Sequence, residues 1–81
     1  MLYTVLRLDH DTRVVSVLGA YTDENDAKEC FIDSILTAYR RDHGLVGKDV
    51  RSQVQRASRQ GHFDYRKPTG ERDGWYYIER E

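Results

Sequence analysis

Leu2-Tyr3-Thr4-Val5-Leu6-Arg7-Leu8-Asp9-His10-Asp11-Thr12-Arg13-Val14-Val15-Ser16-Val17-Leu18-Gly19-Ala20-Tyr21 decides the fold, because two strand-forming runs enclose a polar turn. Alternate residues of a strand point to opposite faces, so Leu2, Thr4, Leu6 and Leu8 share one face. Tyr3 and Val5 lie on the other. Asp9 to Thr12 is turn material, and Arg13 to Tyr21 reads as the second strand. Two strands joined by a short polar loop form a β-hairpin.

A helix follows. Thr22 stands where an N-cap belongs, and Asp23, Glu24 and Asp26 place negative charge against the positive end of the helix dipole. Ala27, Phe31, Ile35 and Ala38 recur at helical spacing, with Ile32, Leu36 and Tyr39 widening the stripe. Arg40 and Arg41 suit the last turn, and Gly44 supplies a stop. The predicted helix therefore runs from about Asp23 to about Asp42. Beyond Gly47, the narrow stripe Val50, Val54 and Ala57 predicts a second helix that ends at Gly61. Residues 62–67 alternate with period two and predict a short strand. Pro68-Thr69-Gly70 and Asp73-Gly74 read as turns. Trp75-Tyr76-Tyr77-Ile78-Glu79 is aromatic and β-branched and reads as the closing strand.

The order β-β-α-α-β-β predicts an α+β domain over residues 1–81. Its expected form is a small, mostly antiparallel four-stranded sheet with one long and one short helix. At 81 residues such a domain buries roughly 60–65% of its unfolded surface, so its stability margin is thin. Cys30 is the only cysteine, which excludes an internal disulfide and fits a reducing, cytoplasmic setting. No apolar run approaches the roughly 18–20 residues that a membrane span needs, and no secretory signal is visible.

The sheet carries apolar groups on both faces. Leu2, Leu6 and Leu8 oppose Tyr3 and Val5, while Trp75 and Tyr77 oppose Tyr76 and Ile78. One helix covers only one face of a small sheet. The second helix, a second copy of the chain or a partner must cover the other. Tyr3, Val5, Trp75 and Tyr77 are the expected interface residues, because Tyr and Trp supply large contact area at low entropic cost.

Catalytic and metal chemistry find little support in the chain. Asp9-His10-Asp11 sits on a tight turn, and adjacent turn residues do not converge on one ion. Cys30 has the acidic neighbours Asp26, Glu29 and Asp33, the opposite of what activates a thiol. His43 and His62 have no recognisable acid–base partner. Gly44-Leu45-Val46-Gly47-Lys48 lacks the spacing and the Ser/Thr of a phosphate loop. The expectation is a non-enzymatic protein with no cofactor and no metal.

Charge supplies the alternative reading. Formal net charge is −1, with 13 basic and 14 acidic residues. Three basic residues stand against seven acidic in 1–38, nine against four in 39–72, and one against three in 73–81. Lys48, Arg51, Arg56 and Arg59 fall on one helical arc opposite Val50, Val54 and Ala57. Arg66 and Lys67 follow, with Phe63 and Tyr65 between. Arginines for phosphates and aromatics for bases would suit a nucleic acid, although the polar face of an amphipathic helix looks the same.

Gly19-Ala20-Tyr21-Thr22-Asp23-Glu24 with Ala27, and the closing Trp75-Tyr76-Tyr77-Ile78-Glu79, resemble small uncharacterised accessory proteins of phages and large DNA viruses. The resemblance spans about the first 40 residues and the last seven of the chain. It implies an accessory protein that acts by binding, inside a host cell, and transfers no functional residue. The expected function is protein binding with self-association through the sheet face. Nucleic-acid binding through the arginine-rich segment 48–67 is the alternative.

Overall fold

The computed structural model describes residues 1–81. Its elements are β1 (Tyr3–Asp9), β2 (Val15–Tyr21), α1 (Glu24–His43), α2 (Lys48–Gln60), β3 (His62–Arg66) and β4 (Arg72–Arg80). The strands form one antiparallel sheet in the order β2-β1-β4-β3. The expected order and fold class hold.

The local chemistry places the boundaries. Asp9 Oδ1 accepts the Asp11 and Thr12 amides at 2.9 Å each, so the Asp-His-Asp run is a turn. Arg13 is part of that turn, with φ at 61°, and β2 begins only at Val15. The helix cap is Asp23 and not Thr22, because the Asp23 carboxylate accepts the Asn25 amide at 2.7 Å. Gly44 ends α1 at φ 86°, and Gly61 ends α2 at φ 85° in the left-handed region. Asp73-Gly74 is not a turn. Both residues lie within β4, whose register slips by one residue where it meets Arg66.

Both helices pack on the same face of the sheet. α1 lies across β2, β1 and β4, and α2 lies over β3. Four strands at about 4.8 Å spacing span ~19 Å, and a helix with side chains is about 10–12 Å thick. Covering one face therefore takes two helices side by side. The core between the layers holds Val5, Ala27, Phe31, Ile35, Val54, Tyr65 and Tyr76, all buried.

Tyr65 ties the layers together. Its ring is buried, and its hydroxyl has one proton for two acceptors, Asp42 Oδ2 at 2.7 Å and the Ala38 carbonyl at 2.9 Å. Arg41 holds the same carboxylate through Nε at 2.9 Å and a second nitrogen at 3.1 Å. The Arg41 guanidinium and then the Tyr65 hydroxyl bring the Asp42 carboxyl down to about 2. The Thr12 amide does most to bring Asp9 down to about 2, with Arg7 and the Asp11 amide adding to it. Burial first, then the Asp42 carboxylate, pushes the Tyr65 phenol up, and burial also raises Tyr39 and Tyr76.

The signs give a stability plateau with two shoulders. Carboxylates with lowered pKa stabilise the fold above their ordinary 3.8, and that contribution is lost as pH falls through about 2. Phenols with raised pKa stabilise it below their ordinary 10.0, and the contribution is lost as pH rises beyond that value. Melting temperature is expected to fall on both sides, with Asp42→Asn flattening the acid limb and Tyr65→Phe the alkaline one. Thermal denaturation by circular dichroism across that range measures it. A wild-type acid limb unchanged in Asp42→Asn would count against this assignment.

Candidate functional site

The face of the sheet away from the helices has nothing over it. Register places Leu6 beside Val17 and Tyr77, and Leu8 beside Val15 and Trp75. The result is a grid two residues long and three strands wide, every member apolar or aromatic. Val15 is 57% exposed and Val17 66%. Leu6, Leu8, Trp75 and Tyr77 are half-buried. A shallow depression of about 260 Å³ is lined by Leu6, Leu8, Val15, Tyr77 and Glu79.

The grid has charged ends of opposite sign. Beyond the Leu6 row lie Thr4 and Glu79, which are cross-strand partners. Beyond the Leu8 row, cations surround Trp75. The Arg13 and Arg72 guanidinium carbons lie 5.6 and 5.7 Å from the Trp75 ring centre, and the His10 ring lies 5.3 Å away. His10 Nδ1 is buried there without a hydrogen-bond partner. Arg72 also lies 3.8 Å from Asp64 Oδ2, which Arg66 already holds at 3.3 Å. Arg13 and Glu79 take part in none of the chain's ion pairs.

Of the four residues expected at an interface, Trp75 and Tyr77 lie on this open face. Val5 does not, because it is completely buried beneath the helices. Tyr3 is on the helix side too, packed against the core with Arg80 over its ring at 5.9 Å. The correction follows from β3. In His62-Phe63-Asp64-Tyr65-Arg66 only Phe63 and Tyr65 are apolar, so only one face can be furnished with apolar groups by all four strands. That face carries Val5 and Tyr76 through the registers Val5↔Ile78 and Phe63↔Tyr76. The helices cover it, and the Leu6/Leu8 face is left over. Leu6, Leu8, Val15 and Val17 are thus the site residues that the sequence reading did not nominate.

The basic residues divide into two groups. Lys48, Arg51, Arg56 and Arg59 are exposed on α2, and none makes an ion pair. Arg66 belongs to the sheet, where it donates to the Gly70 carbonyl at 3.0 Å and pairs with Asp64. Lys67 is half-buried in the following turn, its amide bonded to the Glu71 carbonyl. The cations of segment 48–67 therefore lie on two elements, four on α2 and two at the end of β3 and in the turn after it.

The remaining candidates have ordinary packing roles. Cys30 is half-buried against the core, its thiol 3.9 Å from the Leu18 carbonyl. His43 sits between Tyr39 and Tyr65, with Nε2 at 3.1 Å from the Arg66 carbonyl. No group of three or more His, Cys, Asp or Glu side chains converges, and no helix is long and apolar enough to cross a membrane. No protein-family model, no curated protein and no solved structure matches the chain.

Proposed function

We propose that this protein is a non-catalytic binding protein that works by docking another protein chain on the open face of its sheet. The observation that carries the reading is the six-residue apolar grid on a face that neither helix covers. Exposed apolar groups occur singly on any protein surface, but contiguous patches with polar rims mark interaction sites. Val15 and Val17 are more than half exposed, so burying them under a partner recovers about 25 cal/mol per Å².

A second reading, phosphate contact by α2, rests on the four exposed cations that have no partner within the chain. One experiment separates the two. A photo-reactive phenylalanine analogue at Val17 is expected to give protein adducts in cells that make this chain, whereas the same group at Ser52 on α2 gives none. Nucleic-acid adducts from position 52, with a bare Val17 variant, would reverse the order. Binding should then weaken steeply with salt and with the Arg51→Ala, Arg59→Ala double variant.

A further inference from the structure

We propose that the occupant of the open face is a second copy of this chain, stacked face to face with its strands antiparallel to those of the first. The inference rests on the reading of that face as a protein-docking surface and adds the partner and its orientation.

Along the strands, the open face runs from Glu79 through the Leu6, Val17 and Tyr77 row. It continues through the Leu8, Val15 and Trp75 row to Arg13 and Arg72. A two-fold axis that lies across the strands, between the two apolar rows, exchanges the ends. Each apolar row then meets the other row of the partner, and Glu79 faces the cations around the partner's Trp75. Stacking with parallel strands would instead set Glu79 against Glu79 and arginines against arginines. Like charges brought together at an interface cost several kcal/mol, so the antiparallel arrangement is selected. Such an interface is isologous and closes at two copies.

The size of the face fits this occupant. Four strands at ~4.8 Å and four alternate residues at ~6.8 Å give about 500 Å² in projection per copy. Two copies therefore clear the roughly 1,000 Å² of total burial expected of a specific interface. Side-by-side pairing of the uncharged edge strand β2 with its symmetry mate is the competing arrangement. It leaves Leu6, Leu8, Trp75 and Tyr77, on the inner strands, as open to water as before.

Arg13 gives the independent observation. It is the only residue other than glycine with positive φ, at 61°, a conformation that costs about 1–2 kcal/mol for a residue with a Cβ. Gly or Asn is the usual occupant of that position in a hairpin. Here an arginine bears the strain, stacks on Trp75 and takes part in no ion pair. Glu79 carries the complementary unpaired charge, and the antiparallel stack joins the two.

The test is sedimentation equilibrium of the wild type and five variants, with circular dichroism to check each fold. Wild type is expected at twice its 9.5 kDa mass, and Tyr77→Lys, on β4 and away from the β2 edge, at the monomer mass. Arg13→Glu and Glu79→Arg should each weaken the dimer at least tenfold, while the double reversal recovers most of the loss. Arg13→Gly relieves the φ strain, so it should stabilise the monomer and yet weaken the dimer.

A wild type that stays monomeric at several hundred micromolar overturns the second copy as occupant, and adducts at Val17 would then belong to another protein. A dimer indifferent to Tyr77→Lys overturns the face-to-face stack in favour of edge pairing. A dimer lost with Tyr77→Lys but with no recovery in the double reversal overturns the antiparallel orientation alone.

Discussion

Truncating Phe31 to Ala is expected to lower the melting temperature by about 15–30 °C, and to leave a large fraction of the chain unfolded at 37 °C. Phe31 is completely buried at the centre of the helix–sheet interface, among Val5, Ile35, Val54 and Tyr76. Removing a buried phenylalanine ring costs about 3–5 kcal/mol, part of it lost transfer energy and part the cavity left behind. A domain of this size has a total stability of roughly 4–12 kcal/mol. The loss is therefore a large fraction of the whole. The neighbouring Ile32 is half-buried at the edge of the same stripe, so Ile32→Ala should cost clearly less. Urea denaturation of the two variants compares them, and equal midpoints would count against this account of the core.

Gly74→Val is expected to destabilise by about 3 kcal/mol, although valine is the better strand former. A Cβ at this position would meet the Leu8 carbonyl oxygen at 2.7 Å and an Arg7 guanidinium nitrogen at 3.0 Å. The first contact is with the backbone of a central strand and cannot be relieved by rotating a side chain. The second would displace Arg7 from Asp73, which it holds at 2.7 Å in a half-buried pair. Breaking such a pair leaves a partly desolvated charge, which adds to the steric cost. Gly47→Ala is the control, since its φ is −83° and nothing lies within 4 Å of the new Cβ. If Gly74→Val melts no lower than Gly47→Ala, strand propensity outweighs the close approach and this explanation is wrong.

Gly74 also marks where sequence reasoning stops. Asp-Gly is the dipeptide of a tight turn, and nothing local distinguishes it from a strand glycine. The reason for this glycine lies on β1, in the path of the Arg7 side chain, more than 60 residues away in sequence. Arg13 is a parallel case. Its charge and its strand-like neighbours are plain, but its left-handed backbone follows from how Asp9 closes the turn.

By itself the sequence determined the β-β-α-α-β-β order, the polar hairpin turn, and the glycine stops at Gly44 and Gly61. These depend on periodicity, capping and φ preference, which act within a few residues. It also made clear that the sheet had two apolar faces, and left the second helix, a second copy and a partner as the alternatives for covering the second. Which face would be left open, only the tertiary structure decided. β1 and β4 are apolar on both sides, and the choice falls to β3, whose alternation counts only once its register against β4 is known. That register is a pairing between distant strands, and the sheet is too wide for one helix to cover. Both helices are therefore committed to the Val5 side, and Leu6, Leu8, Val15, Val17, Trp75 and Tyr77 are left to face outward.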